Sequence, residues 1–487
     1  MSGVLRNTCF VKVNGVRTTG IYCQPSCSAR PKIENVADYR TPIAAEAAGF
    51  RPCLRCRPDR APTTDLSQDA PPPVAHALML ITNGFLDHHL EPALAHRVGY
   101  SQRQLRRLFI DHIGATPTFI AASRRAHFAR RMLDETDLPL STIARASGFG
   151  GERQLHRAVS ASFGFGPREL RSKRRGGAKA LLDGGLPLDL PVSSPFDFAA
   201  ALGHLAPRSV PGVESVLDDV YRRTTSTCGH PGVLEISAAD PGHVHLLAHL
   251  PTFNSLIDDV ARCRRLLGID LDHTEALTAL KQDELLAPLV NRRPGLRIHG
   301  AWDRFETAVR IMVGQQVSVA GATTITGRIA DRFGTHFDLE DDPSGLNVTF
   351  PAAVTLAQAD LTGLGMPGKR SETIRRFAEA VAEDSLELFD AGDIDEVTDP
   401  FVELPGIGPW TAHMFALRVL GHPDAFPNSD LGLRTAVGRL MGIDRASADE
   451  TAQVAERWRP FRSLAAQHLW ASLSDPHESP DTTNGRS

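Results

Sequence analysis

Apolar positions along this chain change period more than once, and each change marks a different kind of element. Between residues 75 and 172 they recur at helical spacing in short segments closed by glycine. Ala93–Val98 precedes Gly99-Tyr100-Ser101, and Ile143–Ala146 precedes Gly148-Phe149-Gly150. Arg103-Gln104-Leu105-Arg106-Arg107 returns fifty residues later as Arg153-Gln154-Leu155-His156-Arg157, so the region is an internal repeat. Ser101 and Gln104 have the spacing of a capping box, in which each side chain satisfies the other's free amide. Helix, glycine turn and capped second helix predict a double helix-turn-helix. On the second helices Leu105, Leu108, Leu155 and Val159 take the core side. The cationic positions 103, 106, 107 and 153, 156, 157 share the other.

Strand-like alternation appears later, in Val233–Ser237 and His243–Ala248 around Ala239-Asp240-Pro241-Gly242, which predicts a hairpin. From about Phe253 the period is helical again, for example in Phe305–Val313, Ala320–Arg332 and Ile374–Ala382. Proline-rich or polar stretches at 61–73 and from Ser172 to about Pro195 read as linkers, and the polar residues 474–487 as a disordered tail. The expected architecture is multi-domain, mainly α with α+β parts. It has a cysteine-bearing module at 1–60, helix-turn-helix pairs at 75–172, an α/β part with an antiparallel sheet at 190–290 and a helical part at 291–473.

Charge sharpens this division. Residues 1–180 hold 27 Lys+Arg against 14 Asp+Glu, a balance of +13, while the whole chain carries −4 and the remainder therefore −17. A basic third joined to an acidic remainder indicates a polyanionic partner for the former, with double-stranded DNA first among candidates. A solvated basic face on an ordinary bundle is the plainer alternative; the matched glycine turns favour DNA. With no signal peptide, no lipidation motif and no apolar run long enough for a bilayer, the expectation is a cytoplasmic, nucleoid-associated monomer without a membrane partner.

Four cysteines stand in two close pairs, Cys23/Cys27 and Cys53/Cys56, with 25 residues between the pairs. Such spacing lets four sulfurs converge on one Zn²⁺. Two disulfides or unrelated thiols are the alternatives, and nothing in the sequence looks secreted. Cys9, Cys228 and Cys263 have no place in the set. The segments Arg17–Cys27 and Gly49–Cys56 closely resemble the Ada-type methylphosphotriester repair domain, over residues 10–60. Members of that family carry a longer N-terminal helix before the first strand than this chain does. The resemblance implies that Cys23 is both zinc ligand and methyl acceptor, that Cys27, Cys53 and Cys56 hold the metal, and that Thr19, Arg30 and Arg51 touch the DNA backbone rather than merely solubilise the surface. Charge makes the chemistry reasonable. Four thiolates on one Zn²⁺ leave a doubly negative site, so sulfur stays nucleophilic. A methylated phosphotriester has lost its own charge and admits it. Methylation then halves the negative charge of the site and strengthens DNA binding.

The repeat region, with its exits Gly114-Ala115-Thr116-Pro117 and Gly164-Phe165-Gly166-Pro167, resembles the AraC-type regulator domain. This implies that Arg103, Arg106, Arg107, Arg153 and Arg157 meet successive major-groove segments of promoter DNA, with RNA polymerase as a protein partner.

Leu404-Pro405-Gly406-Ile407-Gly408-Pro409-Trp410-Thr411-Ala412 has the form of a helix-hairpin-helix, in which Gly406 and Gly408 permit a tight turn whose amides can meet a phosphate. Such hairpins also serve as plain connectors, but Asp430 follows twenty residues after Trp410. With Phe305–Arg310, Gly314–Ser318, Leu364–Met366 and Trp458–Ser463, the region from about 190 to 473 resembles the AlkA-type 3-methyladenine DNA glycosylase II. The resemblance implies that Asp430 stabilises the sugar cation and orients water, and that Trp410 and Trp470 stack on a flipped alkylated purine, core packing being their alternative role. Trp410 occupies the position where strand-nicking relatives carry lysine, so hydrolysis without lyase activity is expected. Met414 and Leu431 replace tyrosines of the best-known relatives, which bears on the range of bases accepted.

The combined expectation is an alkylation-response protein: glycosylase, stoichiometric methyl acceptor and methylation-switched activator. A regulator with a zinc-dependent sensor and a degenerate glycosylase module is the alternative, against which an intact Asp430 argues; a purely structural zinc module is a third reading. No Pro-Cys-His-Arg motif is present, so repair of O6-methylguanine is not expected.

Overall fold

The computed structural model describes residues 13–58, 70–174, 181, 184–227, 229–239, 242–254, 256–271, 273–338, 344–383, 385–386 and 393–474. Cys9, Cys228, most of the 61–73 stretch, the basic run from 175 and the tail beyond 474 lie outside these residues.

The first module is a sheet in the order β3-β1-β2-β4 with one helix: β1 Val13–Val16, β2 Ile21–Cys23, β3 Val36–Tyr39, α1 Pro42–Ala47 and β4 Arg51–Pro52. Thr41 opens α1 by accepting the Ala44 N–H, and Pro42 fills the first turn, where no donor is needed.

Eight helices follow: α2 Pro72–Thr82, α3 Phe85–His88, α4 Glu91–Arg97, α5 Gln102–Ile113, α6 Pro117–Glu135, α7 Leu140–Ala146, α8 Glu152–Phe163 and α9 Pro167–Ser172. The repeat emerges as α4-turn-α5 and α7-turn-α8. The capping box of Ser101 and Gln104 is formed on α5. On α8 the cap residue is Gly151, and Gln154 instead accepts the N–H of Gly150 at 3.0 Å. Both recognition helices end at a left-handed glycine, Gly114 (φ 83°) and Gly164 (φ 73°). Leu105, Leu155 and Val159 are buried, and Leu108 is partly so.

The sheet of the next part is larger than the hairpin alone. β5 Leu186–Pro191, α10 Phe198–Leu205, β6 Glu214–Leu217, β7 Val220–Thr227, β8 His230–Ala238, β9 His243–His249 and α11 Leu256–Leu267 give an antiparallel order β5-β9-β8-β7-β6. The expected hairpin is β8-β9, with Ile236 opposite Leu246. β5 corrects the linker reading of 172–195. Leu186, Leu188 and Leu190 alternate inward, while Pro187 and Pro191 lie on the other face of an edge strand, where a missing donor is tolerated. The prolines concealed a period-2 pattern. Pro72 likewise begins α2 instead of ending a linker.

The remainder is helical apart from one short antiparallel pair, Thr335–His336 with Val348–Thr349: α12 Thr274–Leu280, α13 Ala287–Arg292, α14 Arg304–Val313, α15 Val319–Phe333, α16 Ala353–Ala357, α17 Gly368–Ala382, α18 Ile394–Val402, α19 Pro409–Met414, α20 Leu431–Leu440, α21 Ala448–Ala455 and α22 Arg462–Ser472. α19 runs into a π-helical turn, Phe415–Leu420. No helix among the described residues is long and apolar enough to cross a membrane.

The modules are not beads on a string. One contiguous buried cluster contains Leu133 of α6 and Ile143, Leu155 and Phe163 of the second helix-turn-helix together with Leu188, Ile236, Leu246 and Val260 of the sheet subdomain. Arg124 of α6 bridges Asp87 and Asp258, at 2.8 Å to each. The cysteine module docks on α6 through Glu46, whose buried carboxylate accepts from Tyr22 Oη (2.7 Å), Ser123 Oγ (2.6 Å) and His127 Nε2 (2.6 Å). Burial pushes this carboxyl up, but His127 and the two hydroxyls more than offset it, leaving it below the ordinary range.

A second buried network joins the sheet subdomain to the helical part. Arg223 of β7 bonds Glu214 (3.0 Å) and Glu306 of α14 (2.9 Å), while Arg310 reaches both carboxylates. Arg223 also lies over the Trp302 ring at 4.4 Å. Arg223→Ala leaves two buried carboxylates with one cation fewer. It is expected to cost about 3–5 kcal/mol in chemical denaturation of the intact chain.

Candidate functional site

β2 and β4 pair in parallel, Ile21 with Arg51 and Tyr22 with Pro52, so the two cysteine turns leave adjacent strands at the same end. Cys27 N–H closes one turn on Gln24 C=O, and Arg57 N–H closes the other on Cys53 C=O. The sulfurs of Cys23, Cys27, Cys53 and Cys56 all lie within 4.8 Å of one another, and all four cysteines are free thiols. A tetrahedral ion with bonds of ~2.3 Å fits this donor set, and the disulfide alternative is excluded for it. Burial, then the neighbouring Cys53, pushes the Cys23 thiol far above its ordinary value. Four sulfurs packed this closely therefore call for a cation. Cys23 is the most buried of the set, and the other three are more open.

Thr19 and Arg30 are exposed, as a backbone contact requires. Arg51 is not simply presented to solvent. Its guanidinium lies 5.4 Å from the Phe165 ring, and a Cβ on Gly164 would stand 3.0 Å from its Nη1. A Cβ on Gly114 would likewise stand 2.9 Å from that of Ala44 on α1. The cysteine module thus abuts the C-terminal ends of both recognition helices.

Arg103, Arg107, Arg153 and Arg157 are exposed and form no ion pair among the described residues. Arg106 differs: its Nε and Nη2 fork onto the buried Glu91 at 2.5 and 3.1 Å, tying α5 to α4. Sequence spacing could not separate it from its neighbours, because Glu91 lies on the preceding helix.

The hairpin turns at Gly406 (φ 89°), where a Cβ would fall 2.2 Å from Thr373 Oγ1, so both conformation and space require glycine. Gly408 is extended and opens on free space. Gln315 Nε2 pins the turn from outside, donating to Gly406 C=O (3.2 Å) and Thr411 Oγ1 (2.9 Å). Gln316 beside it holds a left-handed φ of 58° and is exposed.

Asp430 caps α20, its Oδ1 accepting the Leu433 N–H at 3.0 Å. Trp470 Nε1 donates to Oδ1 at 2.9 Å and Trp410 Nε1 to Oδ2 at 3.2 Å. The three residues singled out from sequence therefore meet, half-exposed, at one carboxylate. The loop carrying Asp430 is fixed by Asp424, which is held by Arg459 Nη1 (2.6 Å) and by Arg462 Nε (2.8 Å) and Nη2 (2.9 Å) of α22, the helix that bears Trp470. Arg418, inside the apolar run Phe415–Leu420, escaped the sequence reading. It stacks 5.0 Å from the Trp470 ring centre and donates to His299 C=O. Burial, then Arg208, lowers it to about 9 against the opposing pull of Asp430, so it stays cationic at neutral pH. None of the tyrosines reaches this site; Tyr221, the last in sequence, donates to Glu214.

Residues 8–59 match the family described as the metal binding domain of Ada, 94–173 a helix-turn-helix domain, 187–303 the AlkA N-terminal domain and 309–460 the HhH-GPD superfamily of base excision DNA repair proteins. The chain is 40% identical over 468 residues to a probable bifunctional transcriptional activator/DNA repair enzyme AlkA of Mycobacterium tuberculosis, covering 95% of this chain and 93% of that protein. It is 35% identical to DNA-3-methyladenine glycosylase 2 of Escherichia coli over 282 residues, 57% of this chain and 94% of that one. Among solved structures, the 3-methyladenine DNA-glycosylase of Archaeoglobus fulgidus shares the fold, with TM-score 0.52, 24% identity and coverage of 58% of this chain and 97% of that one.

The two arginine roles on α5 are separable. Arg107→Ala is expected to leave the melting temperature unchanged and to reduce the salt slope of DNA binding by about one. Arg106→Ala is expected to lower the melting temperature, because Glu91 stays buried without its partner.

Proposed function

Because the chain belongs to the family of bifunctional transcriptional activators and DNA repair enzymes represented by its mycobacterial relative, we propose that it excises alkylated purines of the 3-methyladenine type from double-stranded DNA with Asp430. We propose also that Cys23 accepts a methyl group from backbone phosphotriesters and that the helix-turn-helix pair turns this into transcriptional activation. The observation that carries the reading is the half-open Asp430 carboxylate, fixed beside the hairpin and between two tryptophans.

An N3- or N7-alkylated purine is already cationic, so the C1′–N bond breaks with its electron pair neutralising the base. The demand on the protein is therefore an anion at the sugar, not a strong acid at the base. Asp430 supplies that anion as positive charge grows at C1′. A water aligned by the same carboxylate then adds to C1′, its proton passing to Asp430 and on to solvent. The ring of Trp410 and the open face of Trp470 flank the space for the flipped base. With tryptophan in place of lysine at 410, no Schiff base forms, and the reaction is hydrolysis without strand nicking. Gly406 and Gly408 present backbone amides to a phosphate, which lets an acidic module hold DNA.

At the other site, Cys23, Cys27, Cys53 and Cys56 hold one zinc ion. Zinc, when bound there, keeps the four sulfurs deprotonated at neutral pH. Cys23 Sγ forms a bond to the methyl carbon as the carbon–oxygen bond of the phosphotriester breaks, and the phosphate regains its negative charge. Thr19 and Arg30 meet the flanking backbone; Arg103, Arg107, Arg153 and Arg157 meet promoter DNA, and RNA polymerase is the protein partner of an activator that works as a cytoplasmic monomer.

Purified chain incubated with methylated duplex is expected to release 3-methyladenine, and Asp430→Asn to lower the rate by on the order of 10²–10³-fold. Labelled methyl groups from phosphotriesters are expected on Cys23 by peptide mass mapping. A chain with no base release is instead the regulator with a degenerate glycosylase, and label on another cysteine reassigns the acceptor.

A further inference from the structure

We infer that Trp410 and Trp470 are positioning residues for Asp430, acting through their indole N–H groups, and that Gly432 is the residue whose missing side chain makes room for this arrangement. The inference rests on the reading of Asp430 as the group that stabilises the sugar cation.

A helix-capping aspartate in water ordinarily commits one oxygen to the helix amide and leaves the other to solvent. Here three N–H groups converge. Oδ1 takes Leu433 and Trp470, and Oδ2 takes Trp410. A carboxylate offers about four lone-pair sites, so one remains, on Oδ2, and that is where the hydrogen of an attacking water is held. The two tryptophans present their ring edges to Asp430. One face of Trp470 is taken as well, by the Arg418 guanidinium 5.0 Å from its centre. A ring so occupied is anchored first and offers at most its remaining face to a base.

Neutral donors suit the chemistry. Arg208 and Arg418 both feel the charge of Asp430. An ion pair at this carboxylate would weaken the anion that the sugar cation needs. Two indoles hold the group in place by directional bonds while leaving its charge intact.

Gly432 gives independent support. It is the second residue of α20, and its φ is not left-handed, so the backbone makes no demand for glycine. Space does. A Cβ there would lie 3.0 Å from Trp470 Cδ1, 3.2 Å from its Nε1 and 3.1 Å from Asp430 Oδ1. Any side chain would press into the hydrogen bond itself.

The test is single-turnover excision from methylated duplex by the full chain, with affinity for an abasic-site duplex measured in parallel. Trp470→Phe and Trp410→Phe keep an aromatic face and remove the N–H. Each is expected to slow excision about 10- to 100-fold, the range for a hydrogen bond to a charged group, with affinity changed less than about twofold. Gly432→Ala is expected to behave like Trp470→Phe. In an Asp430→Asn background, Trp470→Phe is expected to change the residual rate hardly at all, since both act through one carboxylate. Wild-type rates in both Phe variants overturn the inference, as does a loss seen only in affinity or an equal loss in the Asn background. A wild-type chain that releases no base, or an Asp430→Asn variant that releases it at the wild-type rate, defeats the reading of Asp430 itself and is seen before any tryptophan is changed.

Discussion

An anion withdrawn from water has to be met by donors, and in this chain the donors come from a different element or module each time. Glu46 leaves the cysteine module to be met by Ser123 and His127 of α6. Glu306 of the helical part is met by Arg223 of the sheet subdomain, 83 residues away in sequence. Asp424 is met by Arg459 and Arg462. Each of these carboxylates is a junction, and removal of one partner leaves a buried charge that the rest of the fold must accommodate. Whatever net stability such pairs contribute, they fix how neighbouring elements sit, because an arginine fork accepts few geometries.

Asp430 is the instructive contrast. It is half-open, and its side-chain donors are neutral indoles instead of guanidiniums. Glu306 and Asp424 are met by arginines and Glu46 by two hydroxyls and a histidine, whereas both side-chain donors to Asp430 are indoles. The same physical need for donors is met by guanidiniums at Glu306 and Asp424 and by neutral dipoles at Asp430. The chain's charge distribution follows a similar logic. The basic third carries exposed arginines suited to a polyanion, and the acidic remainder carries a glycine hairpin, so under the proposed function the backbone supplies what the side-chain composition withholds.

Much of this was legible in the chain because its signals are local. Two cysteine pairs, a repeated helix–glycine–helix unit and a hairpin followed by an aspartate are each written within a few dozen residues. What escaped depended on distant partners or on masking. β5 was hidden by prolines that an edge strand tolerates. Arg51 and Arg106 read as free cations until Phe165 and Glu91 were seen beside them. Trp410 and Trp470 were visible as aromatic candidates, but the direction of their N–H bonds belongs to a meeting of residues 20 and 40 positions from Asp430. Arg418 was concealed within an apolar run, where a charge has meaning only once the ring beneath it is known.

The apolar cluster that runs from the second helix-turn-helix into the neighbouring sheet has a consequence for how such a protein is taken apart. Family boundaries drawn on the sequence pass through the middle of this shared interior. A fragment cut at that line would carry a greasy, freshly bared wall, and its poor behaviour would say nothing about whether its chemistry needs the missing half. Designers who want a stand-alone piece must first rewrite that wall with polar residues.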